Sequence, residues 1–265
     1  MSSQDPQRDE TVAVLFRGGR LPTWEDLDPA VRRAHEQEHV DLMLEVAREH
    51  GLLRIEGFRL ITTNQPWARY WVIEFPDLAG AEAWIRAEMA PPYGAFGCYE
   101  YQLARPHMRG ALDSWVANPR PPSVIPSGVD PHVIPRLAVA RDSVAVLLWG
   151  RWRPEALLAS PEERGDLRHD ALMQSIAREH RMIRIEAFAS MSPQADWHRA
   201  WVIEFPTFEG AEAWLEAEVL PPHGRYAEKR YLLARRWAPE YFAAWSVWAQ
   251  QQATRRKPDG GLGKE

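Results

Sequence analysis

The chain has 265 residues, 45% of them apolar and 11% aromatic, enough to fill one large core or two small ones. Its net charge of −5 leaves no general electrostatic footprint for a phosphate backbone, and the one basic run, Arg255, Arg256 and Lys257, lies in the tail, so nucleic acid is not an expected partner. A single cysteine, Cys98, excludes an intrachain disulfide, and the polar N-terminal stretch MSSQDPQRDE does not look like a secretory leader. With no run of eighteen apolar residues, a soluble, cytoplasmic protein without a membrane partner is expected.

In chain order, VAVLF from Val12 is apolar on both alternating faces, as in a strand covered on both sides. From about Pro29 to His50, the residues His39, Leu42, Met43 and Val46 recur at helical spacing and predict an amphipathic helix. LLRIEGFRLIT and RYWVIEF read as strands rich in β-branched and aromatic residues, the second closed by Pro76. A second helix opens at Pro76-Asp77, turns Ala81, Trp84 and Ile85 inward and stops at PPYG; CYEYQLAR is a last strand, followed by a helix with Trp115.

The chain then says the same thing again. RYWVIEFPDLAGAEAWIRAEMAPPYG from Arg69 returns as RAWVIEFPTFEGAEAWLEAEVLPPHG from Arg199, an offset of 130 (199 − 69). Ala47 onward matches Ala177 onward, and Trp67, Trp71, Trp84 and Trp115 meet Trp197, Trp201, Trp214 and Trp245, which is what core packing of a duplicated unit gives. Trp149 and Trp152 are read as standing where the first copy has Phe16 and Gly19, a difference that would make the two copies unequal. The expected organisation is a first repeat at 11–117, a proline-rich linker at 118–141, a second repeat at 142–253 and a disordered tail at 254–265.

Each copy reads strand, helix, strand, strand, helix, strand, the βαββαβ ferredoxin-like arrangement of an α+β protein. Helices cover one face of such a sheet, so the other face is expected to pack face to face on the sheet of the second copy. The motif VIEFPxxxGAEAW, followed by PPxG and a final aromatic strand, resembles the dimeric α/β-barrel superfamily over nearly all of both copies. That superfamily includes YciI-like proteins, muconolactone isomerases, antibiotic-biosynthesis monooxygenases and chlorite dismutases, and the likeness is nearest to the YciI-like members. It implies an intrachain pseudo-dimer, compatible with a further homo-oligomer, with a small-molecule pocket between sheet and helices. The activity it implies is a cofactor-independent monooxygenase or isomerase acting on an aromatic or polycyclic substrate, with no cofactor. The alternatives are a haem-binding, chlorite-dismutase-like protein, in which an inward histidine such as His169 is the axial ligand, and a non-catalytic interaction module.

HEQEH, His35 to His39, has the spacing of a zinc-protease helix, but the second copy reads GDLRH there and no third ligand follows, so no metal is expected. His39 and His169 survive in both copies on the inward helix face and are the candidate pocket bases. YciI-like relatives pair a histidine with an aspartate in this region; here Asp41 and Asp170 stand two and one residues after the histidines, and neither spacing brings them together. Glu74 and Glu204, within the WVIEF strands, are the acids expected to orient the histidines. Arg54, Arg184, Tyr101, Tyr231, Trp71 and Trp201 are the candidate substrate-binding residues, and Glu56 and Glu186, beside Arg54 and Arg184 in strand alternation, read as ion pairs tying adjacent strands.

Overall fold

The computed structural model describes residues 10–61, 67–107, 112–116, 142–192 and 196–237. The proline-rich linker, the helix expected around Trp245 and the polar tail lie outside them. The first half runs β1 (Val12–Arg20), α1 (Pro29–Glu49), β2 (Arg54–Leu60), β3 (Arg69–Phe75), α2 (Leu78–Glu88) and β4 (Gly97–His107). The second repeats it as β5 (Val144–Trp152), α3 (Pro161–Arg164), α4 (Asp166–Glu179), β6 (Arg184–Ser190), β7 (Arg199–Phe205), α5 (Phe208–Glu218), a short α6 (His223–Tyr226) and β8 (Ala227–Arg236). Of the helix expected after the first copy, the described part is the 3-10 turn Asp113–Trp115.

The local signals act as the residue types dictate. Asp28 caps α1, its carboxylate accepting from the Ala30 N–H, with Pro29 in the first turn. In the second copy Ser160 and Glu163 form a capping box over Pro161, but the helix breaks at Gly165, which takes the left-handed conformation at φ 69°. The second copy is two residues shorter between its first strand and its histidine, and this break takes up the difference. Asp77 caps α2 through the Gly80 N–H, as Pro76-Asp77 foretold.

The eight strands form one closed antiparallel barrel in the order β1-β3-β2-β8-β5-β7-β6-β4. This corrects the expectation of two stacked sheets: the halves join edge to edge, β2 on β8 and β4 on β6, and the two inner faces meet as the wall of a common lumen. Strand β1 is therefore buried on both sides. Val12, Val14 and Phe16 face the helices, with Met43 and Trp84, while Ala13 and Leu15 point into the lumen with Val72, Leu147 and Val202.

The halves also exchange their trailing segments. Leu112 and Val116, following β4, complete the outer core of the second half, and Trp237, following β8, joins that of the first. The Trp237 N–H donates to the Gly57 carbonyl at 2.9 Å, and its ring lies 5.2 Å from that of Trp71. Gly57 has to be glycine for this: a Cβ there would come within 2.4 Å of the Trp71 ring and 2.5 Å of the Trp237 carbonyl oxygen. A Gly57→Val variant should lose about 1–3 kcal/mol of stability, the usual cost of overpacking. At the equivalent position on β6, Ala187→Gly should cost only about 0.5–1 kcal/mol, and urea unfolding of the two variants checks the contrast.

Candidate functional site

Each half carries a histidine–carboxylate contact between the outer face of its sheet and its helices. In the first, His39 Nε2 lies 3.3 Å from Glu88, and the Tyr93 ring stacks on the imidazole at 4.0 Å. Burial would push the Glu88 carboxyl up in pKa, but His39, Arg20 and Arg69 outweigh it and hold it low. Arg20 packs over Tyr93 and donates to the Tyr99 hydroxyl at 3.1 Å, and Phe16 stacks on Tyr101 at 5.0 Å. These rings leave a cavity of about 30 Å³, room for little more than a water molecule.

The second half keeps the pair and opens the space. His169 Nε2 lies 3.6 Å from Glu218, which also binds the Lys229 ammonium, and the His223 ring lies flat on His169, centroids 3.8 Å apart. Again burial alone would raise the Glu218 carboxyl, and His169 and Lys229 hold it below the usual range. The cavity beside them measures about 330 Å³, the scale of a small-molecule site. Leu148, Trp201, Trp214, Met173 and Ile185 make its apolar walls, and Trp115 from the exchanged segment closes it.

Register explains the difference. Val12 opposite Phe75 corresponds to Val144 opposite Phe205, so Phe16, Arg20, Tyr93 and Tyr99 of the first half become Leu148, Trp152, His223 and Lys229 in the second. Four residues that fill the first pocket are exchanged for smaller, reoriented or charged ones. The same register corrects the sequence alignment of Trp149 and Trp152, whose counterparts are Arg17 and Arg20 rather than Phe16 and Gly19. Trp149 faces the lumen, stacked against Arg17 and edge-on to Tyr70, and only Trp152 reaches the cavity.

Glu74, Glu204, Arg54 and Arg184 are elsewhere. Strand alternation puts them on the lumen face, on the far side of the sheet from both histidines, so the acids beside His39 and His169 are Glu88 and Glu218 and not the expected Glu74 and Glu204. In the lumen they build an ion network across the halves. Arg54 reaches Glu74 at 3.0 Å, Glu56 at 2.5 Å and, from the other half, Glu186 at 2.9 and 3.1 Å; Arg184 reaches back to Glu56 at 2.8 Å. Arg236 grips Glu204 through two nitrogens, and Ser143 donates to the same carboxylate. Arg54 does pair with Glu56, but the two share a strand; the pairs that tie strands together are Arg54 with Glu74 and the crossed Arg54–Glu186 and Arg184–Glu56.

Of the remaining candidates, Trp201 lines the large cavity, Trp71 is packed against Trp237, Tyr101 is stacked on Phe16 and Tyr231 is half exposed. In HEQEH, His39 turns to Glu88 while His35 lies against the Phe96 ring, 6.3 Å between centroids. Sequence reasoning missed Glu88, Glu218, Lys229 and His223. The two glutamates had a signal, recurring at the repeat offset just before PPYG and PPHG, whereas Lys229 and His223 break the repeat and had none.

No protein-family model matches the chain, and no curated protein matches it. Solved structures do. The fold is similar to that of chlorite dismutase from Candidatus Nitrospira defluvii in complex with imidazole, with a TM-score of 0.62 and 12% identity over 90% of this chain and 96% of that one. A point variant of that enzyme gives a TM-score of 0.61 at 14% identity, with the same coverage of both chains. A tryptophan variant in complex with cyanide gives 0.57 at 13%, again over 90% of this chain and 96% of that one. At such identities the likeness is one of fold: the chain has the tandem ferredoxin-like, dimeric α/β-barrel architecture of chlorite dismutase-like proteins. These neighbours come from the branch that the sequence placed second to YciI-like members. Among the described residues no helix is long and apolar enough to cross a membrane.

Two pH-dependent outcomes follow from the buried groups. Burial would raise the Glu56 carboxyl, but Arg184, Arg54 and Arg236 bring it down from 4.5 to about 2. A depressed folded-state pKa gives stability that is complete above 4.5 and is lost as pH falls toward 2. Glu56→Gln should cost about 3–5 kcal/mol at neutral pH, the scale for breaking a buried pair, and should flatten the acid limb of a pH–stability curve measured by denaturant unfolding. His223 is lowered from 6.5 to about 4 by burial, then by His169 and Lys229. The unfolded chain takes up that proton first, so stability contributed by neutral His223 declines from pH 6.5 toward 4. His223→Phe, which keeps the stack on His169, should narrow the difference in melting temperature between pH 7.5 and 4.5.

Proposed function

We propose that the protein binds one flat, mostly apolar small molecule per chain, in the second half, and that haem is the group whose chemistry the lining fits best. The observation that carries this reading is the His169–Glu218–Lys229 arrangement on the wall of a cavity of about 330 Å³ lined by tryptophan and aliphatic side chains. An imidazole that binds a metal almost always has its other ring nitrogen on a carboxylate or carbonyl, which fixes its orientation and raises its basicity. Glu218 is placed for that part, and Lys229 keeps it ionised. With Nε2 turned to Glu218, Nδ1 is the ring nitrogen that would act as donor. Haem, when bound, would supply the redox chemistry of its iron. The flat aromatic walls would exclude water from its faces, and Trp115 would cover it. Imidazole and cyanide, the ligands named for two of the similar structures, are both good donors to a transition metal, which supports the same reading.

A second reading has its own support. His169 already holds Nε2 toward Glu218 and lies flat against His223, an arrangement complete without a metal, and a histidine–glutamate pair in an apolar cavity is suited to proton abstraction from an aromatic substrate, as in a cofactor-independent monooxygenase or isomerase. Titration with haemin separates the two. Haem binding predicts a saturable Soret band at one equivalent, shifted or lost in His169→Ala and unchanged in His39→Ala. A spectrum identical in wild type and His169→Ala would refute ligation by His169 and leave the acid–base reading, for which His169→Gln should lower turnover by about 10²–10⁴-fold.

A further inference from the structure

The cavity of the second half has a polarity along its length. Gly150 pairs with Arg199 on one side and Lys229 on the other, so the end of the sheet where β5 leaves and β7 begins gathers the charged side chains. Two residues further in, Leu148 pairs with Trp201, and beyond them lie Ile185 and Ile203 in the apolar part. Among the lining cations, Arg151 is held by Glu228 through two nitrogens, and Lys229 is held by Glu218. Arg199 has no carboxylate among the described residues. Its guanidinium donates to the carbonyl of His198, at 3.3 Å, and is half buried at the cavity wall.

The first half provides an internal control. Its equivalent residue, Arg69, lies over the ring of Trp237 at 4.7 Å, and that ring packs on Trp71 beside the first pocket. In the second half the position of Trp237 is taken by His107, opposite Ala187, and the space stays open. The duplication has kept the arginine while removing the ring it packs on. A half-buried guanidinium that finds no carboxylate among the described residues, beside an apolar slot, is suited to a ligand that supplies the charge.

We infer that Arg199 binds an acidic group of the ligand, so that the cavity selects a planar ring system carrying a carboxylate at its edge, apolar end inward. This rests on the reading of the second-half cavity as the binding site and narrows what that site takes. It applies to haem and to an aromatic acid alike.

Two matched probe pairs test it on the full-length chain: haemin against its dimethyl ester, read by the Soret band, and naphthalene-2-carboxylate against naphthalene-2-carboxamide, read by tryptophan fluorescence. The acid of each bound pair should be favoured by about 10- to 100-fold, the worth of a charge-assisted hydrogen bond in a buried site. Arg199→Gln should abolish that preference, and Arg69→Gln should leave it intact, with circular dichroism confirming the fold of both variants. Equal binding of acid and neutral forms, a preference that survives Arg199→Gln, or an equal loss in Arg69→Gln would overturn the assignment. Failure of haemin with a surviving naphthoate preference would reject haem and keep Arg199 as the acid-binding residue. No binding of any probe would remove both.

Discussion

An antiparallel sheet of four strands has two open edges, and in each half of this chain both edges, β2 and β4 or their counterparts β6 and β8, are satisfied only by the other half. Alone, one half would present two rows of unpaired N–H and C=O groups together with an apolar inner face. Closing the barrel removes the edges and seals the lumen in one step. The consequences reach every other feature. Charges on the inner face are largely withdrawn from water and find one another, and they do so across the boundary: Arg54 on Glu186, Arg184 on Glu56. With the inner face sealed, space for a ligand is left on the outer face, between sheet and helices, where each half keeps a histidine and a glutamate.

Duplication makes two such places, and packing decides that they differ. The histidine and its acid are the same in both, so the chemistry on offer is the same. Phe16, Tyr93 and Tyr99 crowd the first site, and the smaller or charged residues at the equivalent positions leave the second open. The exchange of trailing segments ties the two halves together, because the segment after β8 packs on Trp71 beside the first site and the segment after β4 supplies Leu112 and Trp115 to the wall of the second.

Much of this architecture was legible in the residues. The repeat offset, the order of elements, the inward phase of His39 and His169 and the placing of Glu74 with Val72 on one strand face all follow from periodicities of 3.6 and 2. Alternation, however, says that two residues share a face without saying which face meets helices and which meets the lumen. Glu74 and Glu204 were therefore assigned to the histidines when they belong to the ion network. Glu88 and Glu218 recur at the ends of their helices, yet only the packing of α2 on α1 and of α5 on α4 brings them to the histidines.

By itself, then, the sequence determined the duplication, the ferredoxin-like units and the residue types available to a site, because repeats and hydrophobic periods are local and survive without knowledge of contacts. Tertiary structure alone decided that the sheets close into one barrel, that the strand carboxylates face inward to arginines, and that one of two like sites is open. These depend on how edges pair and on the sum of side-chain volumes brought together from distant segments of the chain, Trp71 with Trp237 in one half and Trp115 with Trp214 in the other. No window along the chain holds both members of such a pair, so only the folded chain could reveal what fills the space between them.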